Sequence, residues 1–432
     1  MRLLTALLLL EVSMSSLTAA PADLHARIDA AAARVEPSVI ACRRDIHQNP
    51  ELGNREVRTA KLVADKLRAL DIEVQEKIAH TGVVGLLRGG KPGKVVALRA
   101  DMDALPVTEQ VDLPFASKVR TTYNGQDVGV MHACGHDAHV AILLGVAEVL
   151  AGMRKEIPGT VKFIFQPAEE GAPEGEEGGA KLMVESGVLD QPKVDAIFGL
   201  HVSSRFAAGE IAYRPEGMLA AVDSFKIVVR GKQTHGAYPW LGVDPIVVAS
   251  QIVLGLQTIP SRQVDSTIAP SIVTVGAIHG GVRNNIIPDE VEMIGTIRSL
   301  DAKMRDEIHV RIKRTAESIA TSGGATAEVT ITEGYPITFN DAALTERTLP
   351  SLRKAAGAKN VRLVNPVLGA EDFSFFQKSV PGVFYWIGTR PPDQTAEQAA
   401  SNHSPLFYID ERGLGIGVRS MAYVAIDYLV NK

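Results

Sequence analysis

The feature that most constrains this chain is a repeated order in which a short apolar run is followed at once by acidic or metal-binding side chains. Lys94–Arg99, Thr160–Phe165 and Ala196–Leu200 have the length and composition of buried strands. The side chains that come directly after these runs are Asp101, Asp103, Glu169, Glu170 and His201. In open α/β sheets, ligands bind beyond the carboxyl ends of the strands. This order of apolar runs followed by acidic or metal-binding side chains therefore predicts one functional site at one edge of a sheet.

Helical segments alternate with these strands. Glu56–Leu70 and Ala138–Met153 carry helical patterns, and a further helix is predicted from Asp23, which can cap it, to the break at Pro50–Gly53. Strands that alternate with helices indicate a mainly parallel sheet with helices on both faces. The predicted fold class is therefore α/β.

The pattern changes between residues 213 and 333. There the order is strand, helix, two strands, helix, strand, which is typical of a small α+β module of ferredoxin-like type. The chain then returns to a helix, a short strand and a final helix, Gly413–Leu429. We therefore predict a main domain in two pieces, 23–212 and 334–432, with a smaller domain, 213–333, inserted between them.

The first 22 residues have the layout of a secretory signal peptide. Arg2 precedes the apolar run Leu3–Leu10, and small residues offer cleavage after Ala19 or Ala22. The run is far shorter than the roughly 20 residues that cross a bilayer. We therefore predict a periplasmic or secreted protein with no membrane attachment after cleavage; the alternative is a buried first helix.

The charge balance argues against a nucleic-acid partner. Lys and Arg number 45 and Asp and Glu number 50, so the formal net charge is −5. A nucleic-acid binder needs a basic surface that neutralises phosphates. The sequence shows no basic stripe of that kind.

Five side chains suit a divalent transition metal. Thiolate, imidazole and carboxylate donors of the kinds found here bind Zn, Mn, Co or Ni. These donors are Cys134, His136, Glu170, His201 and His403. Glu169 and Glu170 are adjacent after the Phe163–Phe165 run, and a cation would offset the repulsion between their carboxylates.

Two other classes of protein remain open on these residues. Cys134 could be a nucleophile, with His136 or another histidine as its base. A non-catalytic metal-dependent binding protein would keep the ligands but would not need Glu169. A dinucleotide or P-loop enzyme is disfavoured because neither glycine-rich motif occurs.

Nine ordered motifs carry a resemblance to a known family. They are His47–Gly53, Arg99–Pro106, Cys134–Asp137, Gln166–Gly171, Thr234–Pro239, Asn285–Pro288, Gly295–Arg298, Gly369–Phe373 and His403–Pro405. With these motifs the chain resembles the M20 metallopeptidases, in particular the amidohydrolase branch that contains hippurate and auxin-conjugate hydrolases. The resemblance covers nearly the whole chain after residue 22 and implies a zinc-exopeptidase-like catalytic domain.

The resemblance implies two divalent metal ions per subunit, with Cys134 bridging them. Glu170 and His403 would hold one ion, and His136 and His201 the other. Glu169 would be the general base, and Asp103 would orient a ligand imidazole. From the residues alone, Asp103 is also compatible with a helix cap.

The resemblance also implies which residues contact the substrate. The inserted domain would form a homodimer and carry His235 into the partner's site to stabilise the oxyanion. Asn285 and Arg298 would bind the substrate carboxylate, and Gly369 would offer its backbone. The implied substrate is an N-acyl amino acid or a small peptide, with a metallocarboxypeptidase or dipeptidase as the alternative. Trp240 departs from the family pattern, where a polar residue is expected.

Overall fold

The computed structural model describes residues 21–431, so most of the region interpreted as a signal peptide lies outside the described residues. Within that range the helices are α1 Pro21–Gln48, α2 Val57–Ala69, α3 His136–Ala151, α4 Gly179–Glu185, α5 Pro245–Thr258, α6 Ala302–Ser322, α7 Ala342–Ala356, α8 Ser374–Gln377 and α9 Arg412–Val430.

The strands in the same range, in chain order, are β1 Glu73–Ile78, β2 Gly82–Arg88, β3 Lys91–Asp101, β4 Arg120–Tyr123, β5 Gln126–Gly129, β6 Pro158–Gln166, β7 Ala196–Ala207, β8 Ile211–Tyr213, β9 Glu216–Leu219, β10 Ala221–Arg230, β11 Thr234–His235, β12 Ser271–Gly280, β13 Ile286–Ile287, β14 Glu290–Ser299, β15 Thr326–Glu333, β16 Thr338–Asn340, β17 Val361–Leu363 and β18 Gly382–Arg390.

The main sheet has the strand order β1-β2-β6-β3-β7-β18-β8-β17 among the described residues. Its central strands β6, β3, β7 and β18 run parallel to one another. Residues of α1, α3 and α9 pack on one face, and Met183 of α4 and Phe376 of α8 pack on the other. The prediction of an α/β fold with a mainly parallel sheet between helices is therefore confirmed.

A smaller sheet is built from strands between Ala221 and Glu333. Its order is β12-β14-β10-β15, every pair is antiparallel, and this is the order of a ferredoxin-like sheet. Residues of α5 and α6 cover one face and form a core of their own. Asp244 caps α5 by accepting hydrogen bonds from the amides of Ile246 and Val247.

Local details differ from the sequence prediction in two places. Asp23 lies in the first turn of α1, which is described from Pro21, so it is not the cap that was predicted. The hairpin β4–β5 was not predicted from the sequence, because its polar residues lack the apolar alternation of a half-buried strand.

Helix α9 alone among the described helices is long and apolar enough to cross a membrane. However, 72% of its apolar window is buried inside the protein. It contacts α1, α3 and α7 and is a core helix of the main domain.

Candidate metal centre and active site

The carboxyl ends of β3 and β6 and the middle of β7, at His201, lie near the start of α3. Gly135 separates Cys134 from His136 and has a φ of 91°, a left-handed conformation that favours glycine. A Cβ at Gly135 would also lie 2.3 Å from a methyl carbon of Val202. The turn therefore brings Cys134 and His136 next to His201, in the middle of β7.

The five predicted donors come together in space. The Cys134 Sγ atom lies 3.4 Å from His201 Nε2 and 3.3 Å from His403 Nε2. His403 Nε2 lies 3.1 Å from Glu170 Oε1, and His136 Nε2 lies 3.8 Å from Glu169 Oε2. These residues come from positions as far apart in the chain as 134 and 403.

The donors form two overlapping groups that share Cys134. One group is Cys134, His136 and His201, the other is Cys134, Glu170 and His403, and the ligand atoms within each lie within 4.8 Å of one another. His136 Nε2 is buried without a hydrogen-bond partner. A buried polar atom without a partner is costly, and a cation would satisfy this nitrogen. The residues thus fit two divalent cations with a shared thiolate.

Hydrogen bonds to the other ring nitrogens orient the imidazoles. His201 Nδ1 donates to the backbone oxygen of Val202 over 2.7 Å, which leaves the lone pair of Nε2 facing Cys134. His136 Nδ1 pairs with Asp103 Oδ1 at 3.3 Å, and Asp103 Oδ2 accepts from the amide of Glu170 over 2.9 Å. Asp103 is thus placed to orient one imidazole and the Glu170 backbone.

His139 lies in the same cluster but is not available as a ligand. Its Nδ1 pairs with Asp101 Oδ1 at 2.5 Å, and its Nε2 accepts from the amide of Val202 over 2.9 Å. Both nitrogens are therefore engaged, and the ring packs against His201 with centroids 4.5 Å apart. The sequence analysis missed this residue, although its spacing of one helical turn from His136 was a usable signal.

A buried arginine organises the carboxylates behind Glu169. Arg99 donates to Gln166 over 2.7 Å, to Asp101 over 2.6 Å, and to Glu371 and Asp372 over 3.0 Å each. The sequence analysis gave no role to Arg99, Glu371 or Asp372. All three residues lie within motifs that carry the family resemblance, but their contact depends on tertiary structure.

Burial raises the pKa of the Glu169 carboxyl well above its usual range, and the nearby Glu371 and Glu170 raise it further. Hydrogen bonding to Cys134 and Glu170 raises the pKa of His403 to about 10. Because metal ligands must be deprotonated, cation binding here would release protons.

Burial also raises the pKa of the Cys134 thiol, and the charge of Glu170 adds to that effect. A nucleophilic cysteine needs a lowered pKa to supply thiolate. The raised pKa therefore disfavours a free Cys134 thiolate as the nucleophile.

A cavity of about 400 Å³ opens on this cluster. Cys134, Glu169, Glu170, His201, His403 and Gly369 line it, together with Arg205, Tyr335 and Trp386. We call it the Gly369 cavity. Gly369 therefore lies in the same cavity wall as the ligand cluster.

The remaining predicted residues lie elsewhere in the single chain. His235 and Asn285 are exposed neighbours on β11 and beside β13, where the amide of Gly236 donates to the Asn285 carbonyl over 2.8 Å. Arg298 is half-buried on β14, opposite Val222. None of the three lines the Gly369 cavity. Trp240 lies in the same region and is 74% exposed.

His235 has a defined tautomer. Its Nδ1 accepts from the amide of Ala237 over 3.0 Å, so the proton of a neutral ring is on Nε2. His235 therefore presents an N–H donor to solvent.

Comparison with known proteins identifies the family of this chain. The family model for peptidase family M20/M25/M40 matches residues 97–427. The chain is 44% identical to thermostable carboxypeptidase 2 of Saccharolobus solfataricus, over 94% of this chain and 99% of that protein. It is 40% identical to IAA-amino acid hydrolase ILR1-like 4 of Arabidopsis thaliana, over 91% of this chain and 86% of that protein.

A solved structure shares the fold. The YxeP protein of Bacillus subtilis, described as a dinuclear metal-binding peptidase from the M20 family, is 36% identical and has a TM-score of 0.76. The match covers 92% of this chain and 99% of that one. The chain therefore belongs to peptidase family M20/M25/M40 and is a metal-dependent hydrolase.

Proposed function

We propose that the protein hydrolyses the amide bond of N-acyl amino acids with a free carboxylate. The observation that carries this proposal is the pair of donor groups sharing Cys134, with the Glu169 carboxylate 3.8 Å from ligand His136. A general base beside a dinuclear centre is what amide hydrolysis by water requires. The relative named as an IAA-amino acid hydrolase supports the substrate class.

When bound, two divalent ions polarise a carbonyl and make water acidic enough to react at neutral pH. Glu169 takes a proton from the water as its oxygen bonds to the amide carbon, and then delivers a proton to the nitrogen as the C–N bond breaks. Asp103 keeps the His136 ring oriented during these steps. The products are a carboxylic acid and the free amino acid.

The inserted domain would complete the site from a second subunit. The Nε2–H of His235 is suited to stabilise the oxyanion, while Asn285 and the fork of Arg298 are suited to the substrate carboxylate. Because these residues do not line the Gly369 cavity of their own chain, a homodimer through the inserted domain is the simplest way to use them.

The edge of the small sheet supports this dimer. Strand β12 pairs with β14 on one side only among the described residues, and Ile278 and Val282 on or beside it are exposed, Val282 by 95%. An exposed apolar edge strand is a template for pairing with another chain. Light scattering coupled to gel filtration tests the dimer directly.

Export is a further part of the proposal, since residues 1–22 have the signal-peptide layout described above. Amino-terminal sequencing of the protein recovered from the periplasm or medium tests it. A chain that keeps Met1 in the cytoplasm would contradict export.

A carboxypeptidase is the second candidate, because the relative with 44% identity bears that name. Both activities hydrolyse an amide bond by the same reaction, and they differ in the group on the carbonyl side of the cleaved bond. A panel of N-acetyl amino acids, hippurate-like compounds and dipeptides, assayed with Zn, Mn, Co and Ni, separates them. Hydrolysis of dipeptides but of no N-acyl amino acid would overturn the first proposal.

One pair of variants tests the mechanism. Glu169→Gln should abolish turnover and keep the metal content, whereas Cys134→Ser should lose metal as well as turnover. Turnover by Glu169→Gln would contradict the proposed base. Full activity of the wild-type protein after chelation would instead favour a cysteine nucleophile.

A further inference from the structure

A second cavity of about 400 Å³ lies on the other side of Glu170 from the Gly369 cavity. We call it the hairpin cavity, because Thr121 and Tyr123 of the β4–β5 hairpin form part of its wall. Leu52, Leu105 and Pro106 add apolar surface. Glu170 lines both cavities, so the hairpin cavity borders the ligand cluster directly.

The floor of the hairpin cavity is held rigidly to the main domain. Leu52 and Ala104 form a parallel bridge, and the amide of Ala104 donates to the Glu51 carbonyl over 2.8 Å. Gly53 fits closely against the loop after β6, since a Cβ there would lie 2.9 Å from the Gly171 carbonyl oxygen. The cavity therefore belongs to the framework that also places Asp103 and Glu170.

The outer wall is a regular hairpin. Thr121 pairs with Val128 and Tyr123 with Gln126, and the turn residues Asn124 and Gly125 have φ of 49° and 74°. Positive φ at both turn residues is typical of a tight two-residue hairpin loop. Thr121 and Tyr123 are two residues apart on β4, so they project from the same face of the hairpin.

The charges around the hairpin cavity do not suit a carboxylate. Both oxygens of Asp103 already have partners, His136 and the amide of Glu170. Arg55 at the rim is paired with Glu176 through contacts of 2.5 and 3.1 Å. The Gly369 cavity, by contrast, has the exposed Arg205 on its wall. A substrate with one charged and one neutral half would therefore place its neutral half in the hairpin cavity.

We propose that the hairpin cavity binds the acyl group of the substrate and that it selects uncharged acyl groups larger than acetyl. This inference rests on the proposed function. The size of the cavity lies within the range of about 300–1,000 Å³ that is usual for small-molecule sites. Thr121 and Tyr123 are then specificity-determining residues, because they contact the acyl group and not the cleaved bond.

The test is a series of N-acyl derivatives of one amino acid, with acetyl, butanoyl, hexanoyl and benzoyl groups, assayed on wild type and two hairpin variants. Thr121→Trp fills the cavity, and it should lower kcat/KM for the hexanoyl and benzoyl substrates by about tenfold or more. Tyr123→Ala removes an aromatic wall and should lower kcat/KM for the benzoyl substrate most. The acetyl substrate should lose much less kcat/KM than the hexanoyl and benzoyl substrates in both variants.

Matched controls separate the cavity from general effects. Thr330→Trp places the same ring on exposed strand β15, and Phe339→Ala removes an exposed aromatic ring on β16. Both should leave the acyl preference unchanged. An equal loss on all four substrates in Thr121→Trp, or an unchanged preference in both hairpin variants, would overturn the proposal. So would a wild-type enzyme that hydrolyses only the acetyl substrate.

A binding experiment keeps this inference distinct from the proposed function. If the metal-loaded wild type hydrolyses none of the series, the proposed function fails. Calorimetric binding of the same compounds to metal-loaded Glu169→Gln still tests the cavity. Affinity that rises with acyl size and is lost on adding Thr121→Trp supports the cavity proposal. Affinity that is independent of acyl size, or no binding, contradicts it.

Discussion

The hydroxyl group of Tyr335 donates a hydrogen bond to the backbone carbonyl of Glu169 over 2.8 Å. Tyr335 follows Gly334 on the segment that leaves the small sheet, so it links the inserted domain to the residue proposed as the base. The other crossing segment also contacts the site, because the amide of Ala220 donates to the Gly369 carbonyl over 2.9 Å. Both segments that connect the two domains therefore donate a hydrogen bond to the backbone carbonyl of a residue that lines the Gly369 cavity.

Replacing Tyr335 by phenylalanine should lower kcat about fivefold, since one hydrogen bond to a buried carbonyl contributes about 1 kcal/mol. The ring, which packs on Phe375, is kept. Metal content and KM should change little, because the lost contact orients Glu169 and touches no ligand. Steady-state kinetics and metal analysis measure both quantities.

Tyr385→Phe is the matched control for Tyr335→Phe. Its hydroxyl contacts Ser420 of α9 at 3.1 Å in the core of the main domain. A similar fall in kcat in both variants would show that Tyr335 has only a structural role.

His139→Phe should weaken metal binding about 10–100-fold, the usual effect of removing a partner behind a metal ligand. The phenyl ring keeps the packing on His201 but cannot accept from the Val202 amide or pair with Asp101. The His201 ring, which donates to the Val202 carbonyl, then loses its fixed support. Calorimetric titration of the apoprotein with Zn measures the change.

An unchanged Zn affinity in His139→Phe would show that the Asp101–His139–Val202 contacts do not act on His201. Circular dichroism of the apoprotein is the control for folding. A loss of secondary structure would require the milder variant His139→Gln, which keeps one donor and one acceptor, and this variant should recover part of the affinity.

The sequence was sufficient for the fold class because the buried strands of the parallel core contain short continuous apolar runs. It also named the ligand donors, since their chemistry is visible in the residue types. It did not find Arg99 or His139, because a buried arginine acquires its role only from Asp101, Glu371 and Asp372 across the sheet. Nor could local patterns place His235 relative to the Gly369 cavity, because that position depends on how the two domains are arranged. Tertiary contacts decided these cases, and local patterns do not contain them.

Arg99→Met should destabilise the apoprotein by about 3–5 kcal/mol, because it leaves buried carboxylates without their cation. Asp101, Glu371 and Asp372 are each at most 2% exposed and all contact Arg99. Urea unfolding followed by circular dichroism measures the free energy. Arg44→Met removes a surface ion pair with Glu411 and should have a much smaller effect. Equal effects of the two substitutions would contradict the organising role of Arg99.

The stability of the inserted domain should depend on pH through Asp223. Burial alone would raise the pKa of this carboxyl, but hydrogen bonds from Arg305, His309 and the Gly334 amide hold its pKa below the usual range. A carboxyl whose folded pKa is lowered contributes stability above its unfolded value of about 3.9, and this is lost as the pH falls. Wild type and Asp223→Asn should therefore differ most at neutral pH.

Unfolding free energies measured between pH 7 and pH 2 test this dependence. The gap between wild type and Asp223→Asn should narrow as the pH falls below about 4. A gap that stays constant over this range would show that the carboxylate charge of Asp223 does not contribute. Glu328→Gln, on an exposed position of the same sheet, is the control and should track the wild type.

Mixing two inactive variants should restore activity if His235 acts in the partner's site. In a dimer of Glu169→Gln with His235→Ala, one site combines Glu169 of one subunit with His235 of the other. Random exchange between equal amounts should restore about a quarter of wild-type activity, since half the dimers are mixed and each has one intact site. The assay is turnover after partial unfolding and refolding of the mixture, compared with each variant treated alone. If His235 acts within its own chain, each mixed subunit still lacks one group and the mixture stays inactive.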